Sequence, residues 1–217
     1  LVNPQLLEYA KKDCEIHNSA YMTLEQVIDV IKSAEHEGKM TVRLHTGDPS
    51  LYGAIREQMD RLDELGIKYD ICPGVSSFCG AAAALRAEYT LPDVSQTVII
   101  TRMAGRTPVP EKESIAALAA HNATMVIFLS TGLLKELSAE LIRGGYKPDT
   151  PAAIVYKASW ADQKVCRCTV EDLAQTASDN GITKTALICV GYFLGNDYSL
   201  SKLYDKSFET EFRKAEI

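Results

Sequence analysis

The feature that most constrains this chain is a unit that recurs along it. A short apolar or β-branched run enters a turn of small and polar residues, and a helix-patterned stretch comes next. The first instance runs Val42-Arg43-Leu44-His45-Thr46-Gly47-Asp48-Pro49-Ser50-Leu51-Tyr52-Gly53. Gly47 permits a positive φ or a close backbone approach there, and Asp48 and Pro49 suit the cap and first position of a helix. Residues 68–72 enter Pro73-Gly74-Val75-Ser76-Ser77 in the same way, and residues 124–129 enter Ser130-Thr131-Gly132. Such alternation favours parallel strands with helices packed on the sheet, that is, an α/β fold.

Element by element, residues 14–17 read as a strand, after which Thr23 and Gln26 form a capping box that starts an amphipathic helix ending by Gly38. Residues 40–44 read as a strand. Ile55, Met59, Leu62 and Leu65 fall at helical spacing before Gly66, residues 68–72 read as another strand, and the next helix is rich in alanine at 81–84. Tyr89-Thr90-Leu91-Pro92-Asp93 interrupts the rhythm and marks the expected boundary between domains 1–93 and 94–217. The second set then has strands at 96–101 and 124–129 and helices at 111–121 and 133–143, the latter closed by Gly144 and Gly145. Residues 152–156 and 164–169 are joined by a link too short for a helical crossover and are expected to pair antiparallel. Thr169 is expected to cap a short helix, 186–192 is the last apolar strand, and 196–217 is a polar tail with a few aromatics.

Composition excludes several classes. The 217 residues are 46% hydrophobic and 24% charged, an ordinary globular balance, and the net charge of −6 argues against a nucleic-acid surface. No apolar run has the roughly 20 residues of a membrane span and the first residues do not resemble a signal peptide, so a cytoplasmic location without membrane association is expected. Cys14, Cys72, Cys79, Cys166, Cys168 and Cys189 show no zinc spacing and read as buried free thiols, with Cys166 and Cys168 on one face of a strand. His17 and His45 sit near strand ends, His36 and His121 near polar helix ends, and their dispersal implies no metal site.

Ligands of α/β sheets collect at the carboxyl ends of strands. Four loops occupy such places: Thr46-Gly47-Asp48-Pro49, Pro73-Gly74-Val75-Ser76-Ser77, Phe128-Leu129-Ser130-Thr131-Gly132 and Tyr156-Lys157-Ala158-Ser159-Trp160. With these loops the chain resembles the tetrapyrrole (corrin and porphyrin) methyltransferases that use S-adenosylmethionine, over residues 1 to about 204. The segment Thr101-Arg102-Met103-Ala104-Gly105-Arg106-Thr107-Pro108-Val109-Pro110 resembles the branch that methylates C-11 of precorrin-4 or cobalt-precorrin-4 in cobalamin synthesis. The resemblance implies two α/β domains with a cofactor cleft between them, S-adenosylmethionine as cofactor, a tetrapyrrole substrate and a homodimer. It implies that Thr46, Gly47, Asp48, Leu51, Ser76 and Ser77 contact the cofactor, with Leu129 and Ala158 near its adenosine. From packing alone, Leu129 and Ala158 would be ordinary core residues.

A polycarboxylate macrocycle held by an acidic protein needs focused positive charge, and Arg102 and Arg106 sit on one loop. Tyr52, with Tyr21 and Met22, is a candidate floor for the ring. No catalytic base is named: Asp48 suits capping or cofactor binding better. Family members open with a strand and a Gly-x-Gly-x-Gly-Asp loop, and Leu1-Val2-Asn3-Pro4 resembles the stretch after that loop, so exposed sheet edges in the first domain are expected. The rival readings are methyl transfer to another tetrapyrrole carbon and a truncated binding module without turnover.

Overall fold

The computed structural model describes residues 2–215; Leu1 and the last two residues of the expected tail lie outside them. The chain divides into two compact units, Leu1–Ser77 and Phe78–Ile217.

In the first unit, helix α1 (Leu24–His36) begins with the expected capping box. The Thr23 N–H donates to Gln26 Oε1 at 2.8 Å and the Gln26 N–H donates to Thr23 Oγ1 at 3.3 Å, so two N–H groups at the helix start are satisfied. Val27, Ile28 and Ile31 form its buried stripe and meet Leu62 of α2 (Arg56–Glu64) in a small core, flanked by Met22, Leu24 and Ile67. Gly38 and Gly66, both with positive φ, come directly after the two helices.

The strands expected at 14–17, 40–44 and 68–72 are not formed: these stretches belong to no helix and no sheet ladder. Their apolar side chains therefore stay in water, with Met40 90% and Val42 77% exposed. A strand needs a hydrogen-bonded neighbour, and among the described residues these segments have none. The helix expected to start at Pro49 is also absent, because Tyr52 and Ala54 take positive φ and interrupt any helical path before α2.

The second unit begins with α3 (Ser77–Leu85 as an element), which contributes Ala81 and Leu85 to the core. Its sheet comprises β1 (Val98–Arg102), β2 (Thr124–Phe128), β3 (Pro151–Tyr156), β4 (Lys164–Thr169) and β5 (Ala186–Val190) in the order β1-β2-β5-β3-β4. Only β1 and β2 pair parallel; β5 inserts antiparallel between β2 and β3, and β4 pairs antiparallel with β3 as expected of neighbours joined by a short link. The sheet is thus mixed rather than parallel throughout.

Helices α4 (Ile115–Ala119), α5 (Leu134–Gly144) and α6 (Leu173–Asp179) complete the unit. The helix expected across 111–121 is shorter, since Glu111–Glu113 forms a 3-10 turn and Ser114 caps α4. Thr169 does not cap α6: its hydroxyl bonds Asp172 Oδ2 at 2.7 Å, and the helix starts after that aspartate. One face of the sheet packs Met125, Ile127, Ile154 and Ile188 against Leu137, Leu141 and Leu173 of the helices. On the other, Val126, Ala153, Val155, Leu187 and Cys189 meet Ala81, Leu85, Tyr89 and Phe193. Tyr89 lies in this second core, so the segment 86–95 belongs structurally with the sheet.

The cysteines are free, but only Cys189 is buried; Cys14, Cys72 and Cys79 are exposed and Cys166 and Cys168 half-buried. The expectation of buried thiols holds for Cys189 alone: Cys14 and Cys72 lie in strand-like segments without a ladder, Cys79 is on α3, and Cys166 and Cys168 are on β4 at the edge of the sheet. Burial pushes the Cys189 thiol up to about 12 and the Cys168 thiol up to about 11, which leaves both protonated and unreactive at neutral pH.

Candidate active site

In the first unit, two of the singled-out loops lie backbone against backbone. Gly47 has φ +67°, and a β-carbon on it would sit 3.1 Å from the Ser77 nitrogen and 3.3 Å from Ser76 Cα. A β-carbon on Gly74 would overlap the Gly47 carbonyl oxygen. Both positions therefore demand glycine, one for conformation and space and the other for space alone. Asp48 ties the loops together. Its Oδ2 accepts the Gly74 N–H at 2.8 Å, while Oδ1 accepts from the Ser50 N–H at 2.9 Å and from the Ser50 hydroxyl. Those donors, the Ser50 hydroxyl foremost, hold the Asp48 carboxyl below the usual carboxylate range.

Gly47, Asp48, Ser76 and Ser77 are thus brought together, with Ser76 buried. Thr46 precedes them and is exposed, and the Leu51 N–H closes a turn onto the Asp48 carbonyl at 3.3 Å. Tyr52, at φ 56°, is 44% exposed. Next to this pair of loops, burial and the neighbouring Arg43 push the His45 imidazole below its ordinary range; Arg43 Nε in turn donates to Gln58 Oε1 at 3.0 Å. Tyr21, Met22 and His17 line a separate open hollow of about 530 Å³ within the first unit, which Tyr52 does not line.

In the second unit the strand ends carry strained residues. Leu129, at the end of β2, has φ 53° and is 65% exposed, so it is not the core residue that packing alone would make it. Ser130 beside it is fully buried, donating its hydroxyl to the Phe128 carbonyl at 2.7 Å and accepting the Met103 N–H at 2.9 Å. Beyond β3, Lys157 and Ser159 both have positive φ and flank Ala158, which packs beside the second core. The Lys157 ammonium bonds Asp162 Oδ2 at 2.6 Å and lies 4.7 Å from the centroid of the Trp160 ring. The Asp162 partner raises the Lys157 pKa, and Lys157 lowers that of Asp162.

Arg102 ends β1 and gives its guanidinium to its own loop, donating to the carbonyls of Met103, Thr107 and Pro108. Arg106 is exposed at the tip of that loop. Sequence reasoning placed both arginines together; it missed Ser130 and the Lys157–Asp162 pair. A serine directly after an apolar strand was the available signal for Ser130, while nothing in the spacing showed which way Lys157 turns. Among the described residues no group of three or more His, Cys, Asp or Glu is placed to hold a metal ion.

Residues 1–174 match the model of the tetrapyrrole (corrin/porphyrin) methylases. The chain belongs to this family. It is 56% identical over 216 residues to a cobalt-precorrin-4 C(11)-methyltransferase of Methanocaldococcus jannaschii, covering 99% of this chain and 83% of that one. To the enzyme of the same name from Priestia megaterium it is 48% identical over 219 residues, covering 99% and 84%. Among solved structures, a cobalt-precorrin-4 methyltransferase of cobalamin biosynthesis superposes with a TM-score of 0.88 at 47% identity, covering 90% of this chain and 82% of that chain. The α/β fold of this methylase is therefore the family's, and its paired glycine loops and strained strand ends lie within the matched residues, 1–174.

Proposed function

We infer that this tetrapyrrole methylase transfers a methyl group from S-adenosylmethionine to C-11 of cobalt-precorrin-4 or its cobalt-free form, in cobalamin biosynthesis. The observation that carries the reading is the similarity at 56% identity across 99% of the chain to a C-11 methyltransferase, which leaves little room for a changed acceptor carbon.

The residues present fit the cofactor. Gly47 and Gly74 keep the first-unit loops free of side chains, and Thr46, Gly47, Asp48, Leu51, Ser76 and Ser77 are assigned to its amino-acid end. Asp48 serves there chiefly by fixing the Gly74 loop, since its carboxylate oxygens already accept three hydrogen bonds. In the second unit, exposed Leu129 and the small Ala158 are assigned to adenosine; a leucine held at positive φ in solvent is otherwise a cost without return. Arg106 and Tyr52 are assigned to the tetrapyrrole, and Arg102, whose guanidinium is engaged on the carbonyls of its own loop, to the support of that loop.

S-adenosylmethionine supplies an electrophilic methyl on a sulfonium. The macrocycle carbon is the nucleophile in an in-line displacement, so the protein's work is to align the two partners and exclude water; no covalent enzyme intermediate is required. None of the described residues is assigned as a catalytic base. No helix among the described residues is long and apolar enough to cross a membrane. Free thiols throughout suit a reducing, cytoplasmic setting, and exposed Leu200, Tyr204 and Phe212 offer apolar surface to a second copy in a homodimer.

The test is incubation of the chain with S-adenosylmethionine and cobalt-precorrin-4 or precorrin-4, reading the methylated carbon by NMR. Methylation at C-11 is expected. Methylation elsewhere, or tight S-adenosylhomocysteine binding without turnover, overturns the reading. Light scattering of the purified chain tests the dimer.

A further inference from the structure

We propose that Arg102 and Ser130 are positioning residues that clamp the 103–110 loop, so that Arg106 is the cation presented to a substrate carboxylate. The inference deepens the functional reading above and rests on it. Arg102 Nη1 donates to the carbonyls of Met103 and Thr107, both at 3.1 Å, and Nη2 donates to the Pro108 carbonyl at 2.9 Å. One guanidinium thus bridges the two arms of the loop, a task that needs a planar fork of donors. Ser130 anchors the base of the same loop by accepting the Met103 N–H, and its own hydroxyl proton goes to the Phe128 carbonyl. Across the tip, the Gly105 N–H donates to the Thr107 carbonyl at 3.2 Å.

The clamp orders a segment that gains nothing for the core. Ala104, Gly105, Arg106, Thr107 and Pro108 are all exposed, so fixing them costs conformational entropy without burying apolar surface. What the ordering does fix is the position of Arg106, for which no hydrogen bond or ion pair is found among the described residues. An arginine whose backbone is held in place before the ligand arrives loses less freedom on binding a carboxylate, and its guanidinium is left open to pair bidentately. Arg102, with both terminal nitrogens engaged on carbonyls, acts through the loop. Because Ser130 is also the next residue after Leu129, it couples the start of this loop to the strained strand end of β2.

Two measurements on the full chain test this. In amide hydrogen exchange without ligand, Arg102→Ala is expected to speed exchange of the Met103 and Gly105 amides, the two in the loop that have an acceptor among the described residues, by about tenfold while β1 and β2 keep their protection, because the loop opens once its carbonyls are released. In steady-state kinetics with cobalt-precorrin-4, Arg106→Ala and Arg102→Ala are each expected to raise the tetrapyrrole KM by about tenfold or more, with kcat and the S-adenosylmethionine KM within about twofold. The double variant is expected to match Arg106→Ala alone, because residues acting through one another are not additive. Ser130→Ala should give a smaller shift of the same kind, and Arg102→Lys, which keeps the charge but not the fork, should not restore KM. Multiplying effects in the double variant, rescue by lysine, or unchanged exchange in a folded Arg102 variant would each overturn the proposal. Faster exchange in a chain that turns over no tetrapyrrole leaves the clamp but overturns the role given to Arg106, and the functional reading with it.

Discussion

Residues 40–44, Met-Thr-Val-Arg-Leu, and β2, Thr-Met-Val-Ile-Phe, are both short, β-branched and apolar, and both lead into a loop of the candidate site. Their fates differ. β2 lies between β1 and β5, and every one of its residues is buried. Residues 40–44 have no ladder partner, and Val42 is 77% exposed where Val126 is fully buried. Strand propensity is therefore a readiness for an environment, and the neighbour decides whether the readiness is used. The loops at the two ends differ as well. In the first unit backbones meet directly at Gly47 and Gly74 and the Asp48 carboxylate ties them, whereas in the second unit the side chains of Arg102, Ser130 and Lys157 hold loops whose backbones make no such close approach at a glycine.

The largest contrast is expected in hydrogen exchange. Amides of β2 should exchange slower than those of 40–44 by about a thousandfold or more, since the former open only with the core and the latter have no ladder bond to break. Equal protection of the two segments would erase the distinction. Ile154→Ala, in the fully buried core of the second unit, should lower unfolding stability by about 2–5 kcal/mol, whereas Val42→Ala should change it by no more than about 0.5 kcal/mol. Denaturant midpoints measure both, and a comparable cost at Val42 would show that residues 40–44 are covered in solution.

Gly74→Ala should separate the two first-unit loops, because its β-carbon has no room beside Gly47. A loss of about 1–3 kcal/mol in stability is expected, as for overpacking elsewhere, together with weaker S-adenosylhomocysteine binding by calorimetry. Gly66→Ala, with open space around it, controls for the glycine substitution itself, its cost being only that of the positive φ. The smallest effect concerns Asp48. Its folded carboxyl is held low by Ser50 and Gly74, so the stabilisation it gives is complete above the unfolded pKa of about 4 and fades as pH falls through the lower folded value. The stability difference between the wild-type chain and Asp48→Ala should then be constant near neutrality and shrink below about pH 4. A difference that persists in acid would mean that the charge is not what ties the loops together.

Much of this was legible beforehand from local chemistry. The Thr23–Gln26 capping box, the glycine stops after α1 and α2 and the antiparallel β3–β4 pair stem from residue types at fixed spacing, and they stand where the sequence puts them. So do the loops at the ends of β2 and β3, because the turn residues that make them are local signals. The Asp48 role was legible only in outline: an aspartate before proline can cap a helix or hold a neighbouring loop, and the choice depends on Gly74, distant in sequence. Leu129 reads as core from its type, yet the strained turn sends it out to solvent.

What the sequence by itself determined was the family, the capping box of α1, the glycine stops after α1 and α2 and the antiparallel β3–β4 pair, all of which are written in residues close together along the chain. Only the tertiary structure decided that β5 enters antiparallel between β2 and β3, that residues 40–44 stay out of any ladder, and that Ser130 takes the Met103 N–H. Those outcomes depend on which hydrogen-bonding groups meet across long stretches of chain, and pairing between distant segments leaves no local mark in the sequence.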